Sequence, residues 1–145
     1  MKDKVREVVI GEMSAVMQGP GALNMKFALI AMCIEYLGSC TDRQHSKATG
    51  RSEKRFNAGI NRFFPHRYHH FTRPGAIPNL FLDFRCPMIH QFSAGKGIVL
   101  SNRAEAEVSG CKHLTYSPEG NLVLVVEDFF EDLTQAAEKL ITITS

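Results

Sequence analysis

Apolar residues recur along most of this chain at the three- and four-residue spacing of an amphipathic helix. Three long stretches carry the pattern: residues 1–18, 77–92 and 127–141. A shorter stretch, residues 55–64, repeats it and ends at Pro65, because a helix usually stops before a proline. Residues 22–37 are apolar on nearly every face, which is typical of a helix packed on all sides. The pattern therefore predicts a mostly helical protein with one central, buried helix.

The breaks between these stretches predict the connections. Glycine and proline at residues 18–21 predict a turn, Gly38 is expected to end the central helix, and the polar residues 39–53 predict a long loop. Residues 98–100 predict a short strand, whereas residues 104–110 fit neither pattern. Residues 112–116 and 122–126 flank a turn-forming sequence, as in a β-hairpin. The fold class expected is an up-and-down helical bundle with a small antiparallel hairpin before the last helix.

Composition narrows the class of protein. A length of 145 residues with 44% hydrophobic residues suffices for a single domain over residues 1–145 with one core, and we find no repeat or linker. No apolar run is long enough to cross a bilayer, and the first residues mix acids with apolar side chains, unlike a signal peptide. We therefore expect a cytoplasmic protein without a membrane partner. Its four cysteines form no CxxC pair and are expected to be reduced and mostly buried.

Charge is distributed unevenly, although the net charge is only +2. Residues 43–73 contain eight Arg or Lys against one acid, whereas residues 119–145 contain six acids against one Lys. Arg62, Arg67 and Arg73 alternate with aromatic residues, a pattern that suits single-stranded RNA. These three arginines are candidate phosphate-binding residues. The alternative is that the phenylalanines belong to the core and the arginines form a solvated surface.

The helix predicted over residues 77–92 contains two strongly polar side chains, Arg85 and His90. A guanidinium binds phosphate oxygens in pairs, and an imidazole transfers protons near neutral pH. Together these groups could cleave RNA without a metal. Positions five apart on a straight helix differ by roughly 140° in direction. Pro87 lies between them, and the kink expected there would have to bring the two side chains closer.

The segment LDFRCPMIHQF, residues 82–92, resembles the signature helix of the HEPN superfamily (higher eukaryotes and prokaryotes nucleotide-binding). The apolar helix over residues 27–37 and the phrase at residues 55–64 resemble uncharacterised bacterial proteins of that type, so the resemblance covers about residues 22–92. In that family, Arg and His form a metal-independent endoribonuclease site at a dimer interface, often in toxin–antitoxin or phage-defence systems. The resemblance implies that Arg85 holds the phosphate and His90 moves the proton.

The same resemblance implies RNA or a nucleotide as ligand, a homodimer, an antitoxin-type protein partner and no cofactor. Active members often carry Asn or Asp directly after the arginine, where this chain has Cys86 followed by Pro87. A non-catalytic binding or structural module of the same fold is therefore the alternative. If the module has only a structural role, we expect Arg85 to pair with an acid such as Glu35 or Asp83. His90 would then bond to backbone near the hairpin.

Two further groupings of reactive side chains have simpler explanations. His66, His69 and His70 match no recognised zinc motif, even with Cys86 or His90 added, so we expect solvated histidines and no metal. Cys86 and His90 have the spacing of neighbours on a helix, which would suit a nucleophilic pair. The apolar surroundings of Cys86 favour an inert thiol instead.

Overall fold

The computed structural model describes residues 1–42 and 50–143, and most of these residues are helical. The helices are α1 (residues 2–18), α2 (Leu23–Ser39), α3 (Ser52–Phe63), α4 (residues 80–91), α5 (Arg103–Ser109) and α6 (Val126–Ile143). A 3₁₀ helix, His66–Thr72, links α3 to α4, and the strands are β1 (Ile98–Ser101), β2 (Thr115–Tyr116) and β3 (Leu122–Val125). Helix α1 is π-helical over Val5–Glu12, and α4 is π-helical over Leu80–Arg85. The mostly helical class is confirmed.

Helix α2 is the centre of the fold, as the sequence predicts. It packs against α1, α3, α4, α6 and β1. Its side chains Phe27, Ile30 and Ile34 are completely buried. The ring of Phe27 meets Phe84 of α4 and Phe129 of α6, with ring centroids 6.0 and 6.4 Å away. Burial of each such large apolar side chain stabilises the fold by roughly 1.5–3 kcal/mol.

Two glycines allow α2 and α3 to cross at close range. A Cβ atom at Gly38 would overlap the carbonyl group of Arg55, and one at Gly59 would overlap the carbonyl oxygen of Ile34. Gly38 was expected to end the helix, but α2 continues through Ser39 and Gly38 is buried within it. The absence of a side chain at Gly38 therefore serves helix packing, which sequence periodicity does not reveal.

The strands form one mixed sheet in the order β1-β3-β2. Strands β2 and β3 are antiparallel, which confirms the predicted hairpin, whereas β1 lies parallel to β3. A parallel pair needs a crossover connection. Here that connection contains α5, the segment that the sequence pattern left ambiguous. Asn102 caps α5 by accepting a hydrogen bond from the Glu105 amide at 2.9 Å.

Two helices begin three residues away from their predicted first residues. Helix α3 begins at Ser52, three residues before the predicted start. Helix α4 begins at Leu80 instead of residue 77, because Asn79 caps it by accepting from the Leu82 amide at 3.0 Å. Residues 43–49 of the predicted loop, which include Arg43 and Lys47, lie outside the described residues, and the loop prediction is wrong at residues 39, 52 and 53, which are helical. Within the described part of the chain, no helix is both long enough and apolar enough to cross a membrane.

Candidate functional site

Helix α4 positions Arg85 and His90, and it continues through Pro87. A proline within a helix has no N–H to donate and crowds the carbonyl four residues earlier, here that of Asp83. The Asp83 carbonyl instead accepts a hydrogen bond from the Gly95 amide at 2.7 Å. Hydrogen bonding changes from π-helical to α-helical between Arg85 and Cys86, directly before the proline. The helix thus accommodates Pro87 with a local change of hydrogen bonding.

Arg85 forms an ion pair and a cation–π contact within the fold. Its Nε donates to Oε1 of Glu35 on α2 at 2.7 Å. Its guanidinium carbon lies 5.3 Å from the centre of the Phe81 ring. The Arg85 side chain is only 15% exposed and that of Glu35 is 23% exposed. The Arg85–Glu35 ion pair anticipated by the structural alternative is therefore present, and it joins α4 to α2.

His90 is exposed near the end of α4. Among the residues that the structure describes, it forms no hydrogen bond or ion pair, so the anticipated bond to backbone near the hairpin is not seen. It follows Arg85 by five residues within a helix that is α-helical from Cys86, and such positions point in directions roughly 140° apart. The described contacts therefore do not bring Arg85 and His90 together within one subunit.

The three candidate phosphate-binding arginines occupy different surroundings. Arg67 forms an ion pair with Asp132 of α6, and its guanidinium carbon lies 5.5 Å from the centre of the Tyr68 ring. Arg73 is exposed just after the 3₁₀ helix. Arg62 is exposed on α3 and lines a cleft with other cations. Arg67 also lines a cleft, but the described lining of that cleft has three cations against two acids, so Arg62 has the more basic surroundings.

This basic cleft has a volume of about 300 Å³ and lies where the end of α2 meets α3. Its four cationic residues come from α3 and the residue before it. They are Arg51, Lys54, Arg55 and Arg62. The one acid among the described lining residues, Asp42, accepts from Arg51 Nε at 2.8 Å and from Arg55 Nε at 3.0 Å. The described lining residues therefore carry three more positive charges than negative ones.

One spacing of residues in the sequence fits this cleft, although the cleft itself was not predicted. Lys54, Ala58 and Arg62 follow one another at four-residue steps, which places them on one face of a helix. Arg51 was assigned to a predicted loop and Lys54 preceded the predicted start of the helix, so their helical register could not be used. Asp42 lies on the other wall, and that contact depends on how α2 and α3 cross.

A second polar cluster lies between the 3₁₀ helix, the hairpin and α6. His113 Nδ1 accepts from the Val125 amide at 2.9 Å, so its proton lies on Nε2 and is donated to the Tyr68 hydroxyl oxygen at 2.7 Å. The Tyr68 hydroxyl in turn donates to Asp132 Oδ2 at 2.6 Å. Sequence reasoning missed this network, because Tyr68, His113 and Asp132 are far apart in the chain.

Burial sets the protonation states in this cluster. Burial, helped by the charge of Arg67 and opposed by that of Asp128, lowers the pKa of His113 to about 4. Burial also raises the pKa of Tyr68 well above its ordinary value, and the hydrogen bond to Asp132 adds to that increase. Both rings are therefore neutral at neutral pH. Both nitrogens of His113 are occupied by protein groups, so the cluster stabilises the packing of the hairpin on the helices.

In the part of the chain that the structure describes, the cysteines and the remaining histidines form no further site. All four cysteines are free thiols and partly buried. Burial raises the pKa of the Cys33 thiol to about 11, which suppresses its reactivity. His69 Nε2 donates to the Phe64 carbonyl at 3.1 Å. Over residues 1–42 and 50–143, no group of three or more His, Cys, Asp or Glu side chains is arranged to hold a metal ion.

The HEPN resemblance depends on a short motif, so independent similarity would be informative. No family model matches this chain, and neither a curated protein nor a solved structure is significantly similar to it. Membership of the superfamily therefore stays a prediction from the resemblance over about residues 22–92. The function is inferred from the geometry of the chain itself, chiefly from the basic cleft.

Proposed function

We propose that this chain is a HEPN-like module that binds single-stranded RNA. The basic cleft would hold the phosphate groups of the RNA. The observation that carries the proposal is the surplus of cations among the described residues of this cleft, four against one carboxylate. Phosphate is a hard anion that Arg binds through its planar fork and Lys binds as a point charge. A partly enclosed site strengthens these interactions because less water screens the charges.

The cleft contains both oriented and available cations. Asp42 holds Arg51 and Arg55 in position, and its own side chain is only 8% exposed. Lys54 and Arg62 are exposed and have no ion-pair partner among the described residues. Lys54 and Arg62 therefore supply charge that no carboxylate in the described chain neutralises. A backbone phosphate of RNA would contact this pair first.

The state of Arg85 favours binding over catalysis. Its charge is paired with Glu35, and a guanidinium already paired with a carboxylate stabilises developing negative charge less well than an unpaired one. The polar residue that often follows the arginine in active HEPN members is replaced by Cys86. Both features agree with the non-catalytic alternative.

Binding is tested by fluorescence anisotropy with a labelled single-stranded RNA at several salt concentrations. We compare the wild type with the double variant Lys54→Ala/Arg62→Ala and with a matched control, Arg6→Ala/Lys139→Ala, which removes the same charges from exposed positions outside the cleft. Each lost phosphate contact should lower the slope of log K against log salt by about 0.7. The cleft variant should thus lose about 1.4 in slope, and the control should keep the wild-type slope.

The result decides between the cleft and non-specific charge. Equal loss in both double variants would show that net charge, and not the cleft, attracts the RNA. Absence of salt-dependent RNA binding by the wild type would reject the proposal. The circular dichroism spectrum of each variant verifies that the helices are intact.

One observation favours a second candidate, a metal-independent endoribonuclease that uses Arg85 and His90 at a dimer interface. His90 is exposed and no described residue engages it, so its imidazole is available to a substrate. In a dimer, Arg85 and His90 from different subunits could face one RNA strand. Purified protein is incubated with single-stranded RNA in EDTA. Intact RNA, or cleavage that persists in His90→Ala, rejects this candidate.

A further inference from the structure

An apolar groove with a volume of about 310 Å³ separates α1 from α2 and is open to solvent. The sequence predicts that one face of α1 is buried, comprising Val5, Val8, Val9, Met13 and Val16. Only three of these residues are buried, namely Val5, Val9 and Met13. Val8 and Val16 remain 38% and 39% exposed and line the groove. The apolar face of α1 is therefore wider than the surface that this chain covers.

Helix α2 adds exposed apolar area to the same groove. Met32 lines it and is 55% exposed, and Leu29, Cys33 and Tyr36 form its floor and wall. Leaving such side chains in water forgoes roughly 25 cal/mol for each Å² that could be buried. Contiguous exposed apolar surface of this kind marks interaction sites on soluble proteins.

The charged residues that line the groove favour a second copy of this chain as its occupant. Its two charged lining residues are Lys4 and Glu12, which lie four residues before and four residues after Val8 on α1. Neither has an ion-pair partner among the described residues. If two α1 helices pack antiparallel about a two-fold axis at Val8, each Lys4 faces the Glu12 of the other copy. Isologous interfaces have this self-complementarity, because the two-fold axis pairs residue i with j and j with i.

We propose that the α1–α2 groove is the interface of a homodimer in which two copies pack antiparallel through Val8. A copy of this chain brings both the apolar surface and the complementary charges, so no other partner has to be assumed. This interface differs from the one implied by the HEPN resemblance, which involves Arg85 and His90 of α4. The proposal is independent of RNA binding in the basic cleft.

The first test measures mass in solution for the full chain by sedimentation velocity over a range of concentrations. The wild type should approach twice the 16.2 kDa of the chain. Val8→Asp places two carboxylates at the two-fold axis and should weaken dimerisation by at least about 100-fold. The matched control is Val108→Asp, because Val108 is 91% exposed on α5 and lies outside the groove. This control should dimerise like the wild type.

The second test uses charge reversal and does not depend on a change in the apolar surface. Lys4→Glu or Glu12→Lys alone places like charges opposite each other twice and should weaken the dimer by about 10-fold. The double variant Lys4→Glu/Glu12→Lys exchanges the signs and should restore the wild-type dissociation constant. Restoration occurs only if these two positions face each other across the interface.

Each outcome bears on the proposal. A wild type that is monomeric at all concentrations overturns it and leaves the groove to a different partner. A dimer that resists Val8→Asp also overturns it, and failure of the double variant to recover rejects the antiparallel arrangement. If Val8→Asp lacks the wild-type circular dichroism spectrum, the charge-reversal series decides, since its positions lie on the solvent side of α1.

Discussion

Protonation of His113 should destabilise this protein in mildly acidic solution. Its Nδ1 accepts the Val125 amide proton and its Nε2 donates to Tyr68, so the neutral ring satisfies both partners. An added proton on Nδ1 would face the Val125 N–H, donor against donor. The ring is also packed against Phe129, with centroids 5.4 Å apart, which limits its freedom to reorient. The folded state therefore favours the neutral form.

The magnitude follows from the pKa of His113 in the folded and unfolded chains. Its pKa is lowered from 6.5 to about 4 in the folded state, through burial first and then the charge of Arg67, while Asp128 acts in the opposite direction. Between these values the unfolded chain binds more protons, so the free energy of unfolding rises with pH. The contribution is complete above pH 6.5 and is lost as pH falls towards 4. It amounts to about 3 kcal/mol in total.

The assay is urea unfolding followed by circular dichroism at pH values from about 4.5 to 7.5, for the wild type and His113→Asn. Asparagine keeps an acceptor but does not titrate. Groups that titrate alike in the two proteins cancel, so the difference between the two profiles reports on His113. The free energy of unfolding of the wild type should fall by about 2.5 kcal/mol more than that of the variant between pH 7 and 4.5.

Two results would contradict this reasoning. Parallel pH profiles for the wild type and the variant would show that His113 has the same pKa in both states. An NMR titration that places the midpoint of the His113 ring near 6.5 would show that burial does not disfavour its charge. Either result would remove the His113–Tyr68–Asp132 network as a pH-sensitive element of the fold.

Three further predictions concern packing and reactivity. Gly59→Ala should lower the free energy of unfolding in urea by about 3 kcal/mol, because the alanine Cβ would overlap the Ile34 carbonyl oxygen. An unchanged unfolding midpoint would contradict the close α2–α3 crossing. Arg85→Met should cost about 2 kcal/mol by leaving Glu35 unpaired, and adding Glu35→Leu should recover part of that loss; a neutral single variant would show that the pair contributes little. Cys33, with its pKa raised to about 11, should resist iodoacetamide at pH 8 until urea unfolds the chain, as followed by mass spectrometry.

The predicted helices and hairpin are present because their periodicity reflects a local property, the alternation of buried and exposed faces. The features that the sequence left open depend on contacts between distant residues or on weak patterns. Residues 104–110 lacked a clear periodicity, since Ala106 is the only buried residue of α5. Strand β1 was predicted, but its parallel pairing with β3 depends on residues more than 20 positions apart.

The candidate site residues also show that residue type can be identified from the sequence, whereas the contacts of a residue cannot. The sequence identified Arg62, Arg67 and Arg73 by type and spacing, yet only Arg62 lies in the basic cleft. Arg67 is paired with Asp132, a residue 65 positions later in the chain. The pairing of Arg85 with Glu35 was one alternative among several, because charge alone does not say which acid is near.

By itself, the sequence determined the helical class, the central buried helix, the hairpin and the basic character of the segment around α3. These features depend on neighbouring residues, whose spacing sets which faces meet water. Only the tertiary structure decided which cations share a cleft, that His113 is held neutral against Tyr68, and that the apolar face of α1 is incompletely covered. The physical reason is that such contacts join residues from different elements, and their distances depend on how closely α2 and α3 pack through Gly38 and Gly59.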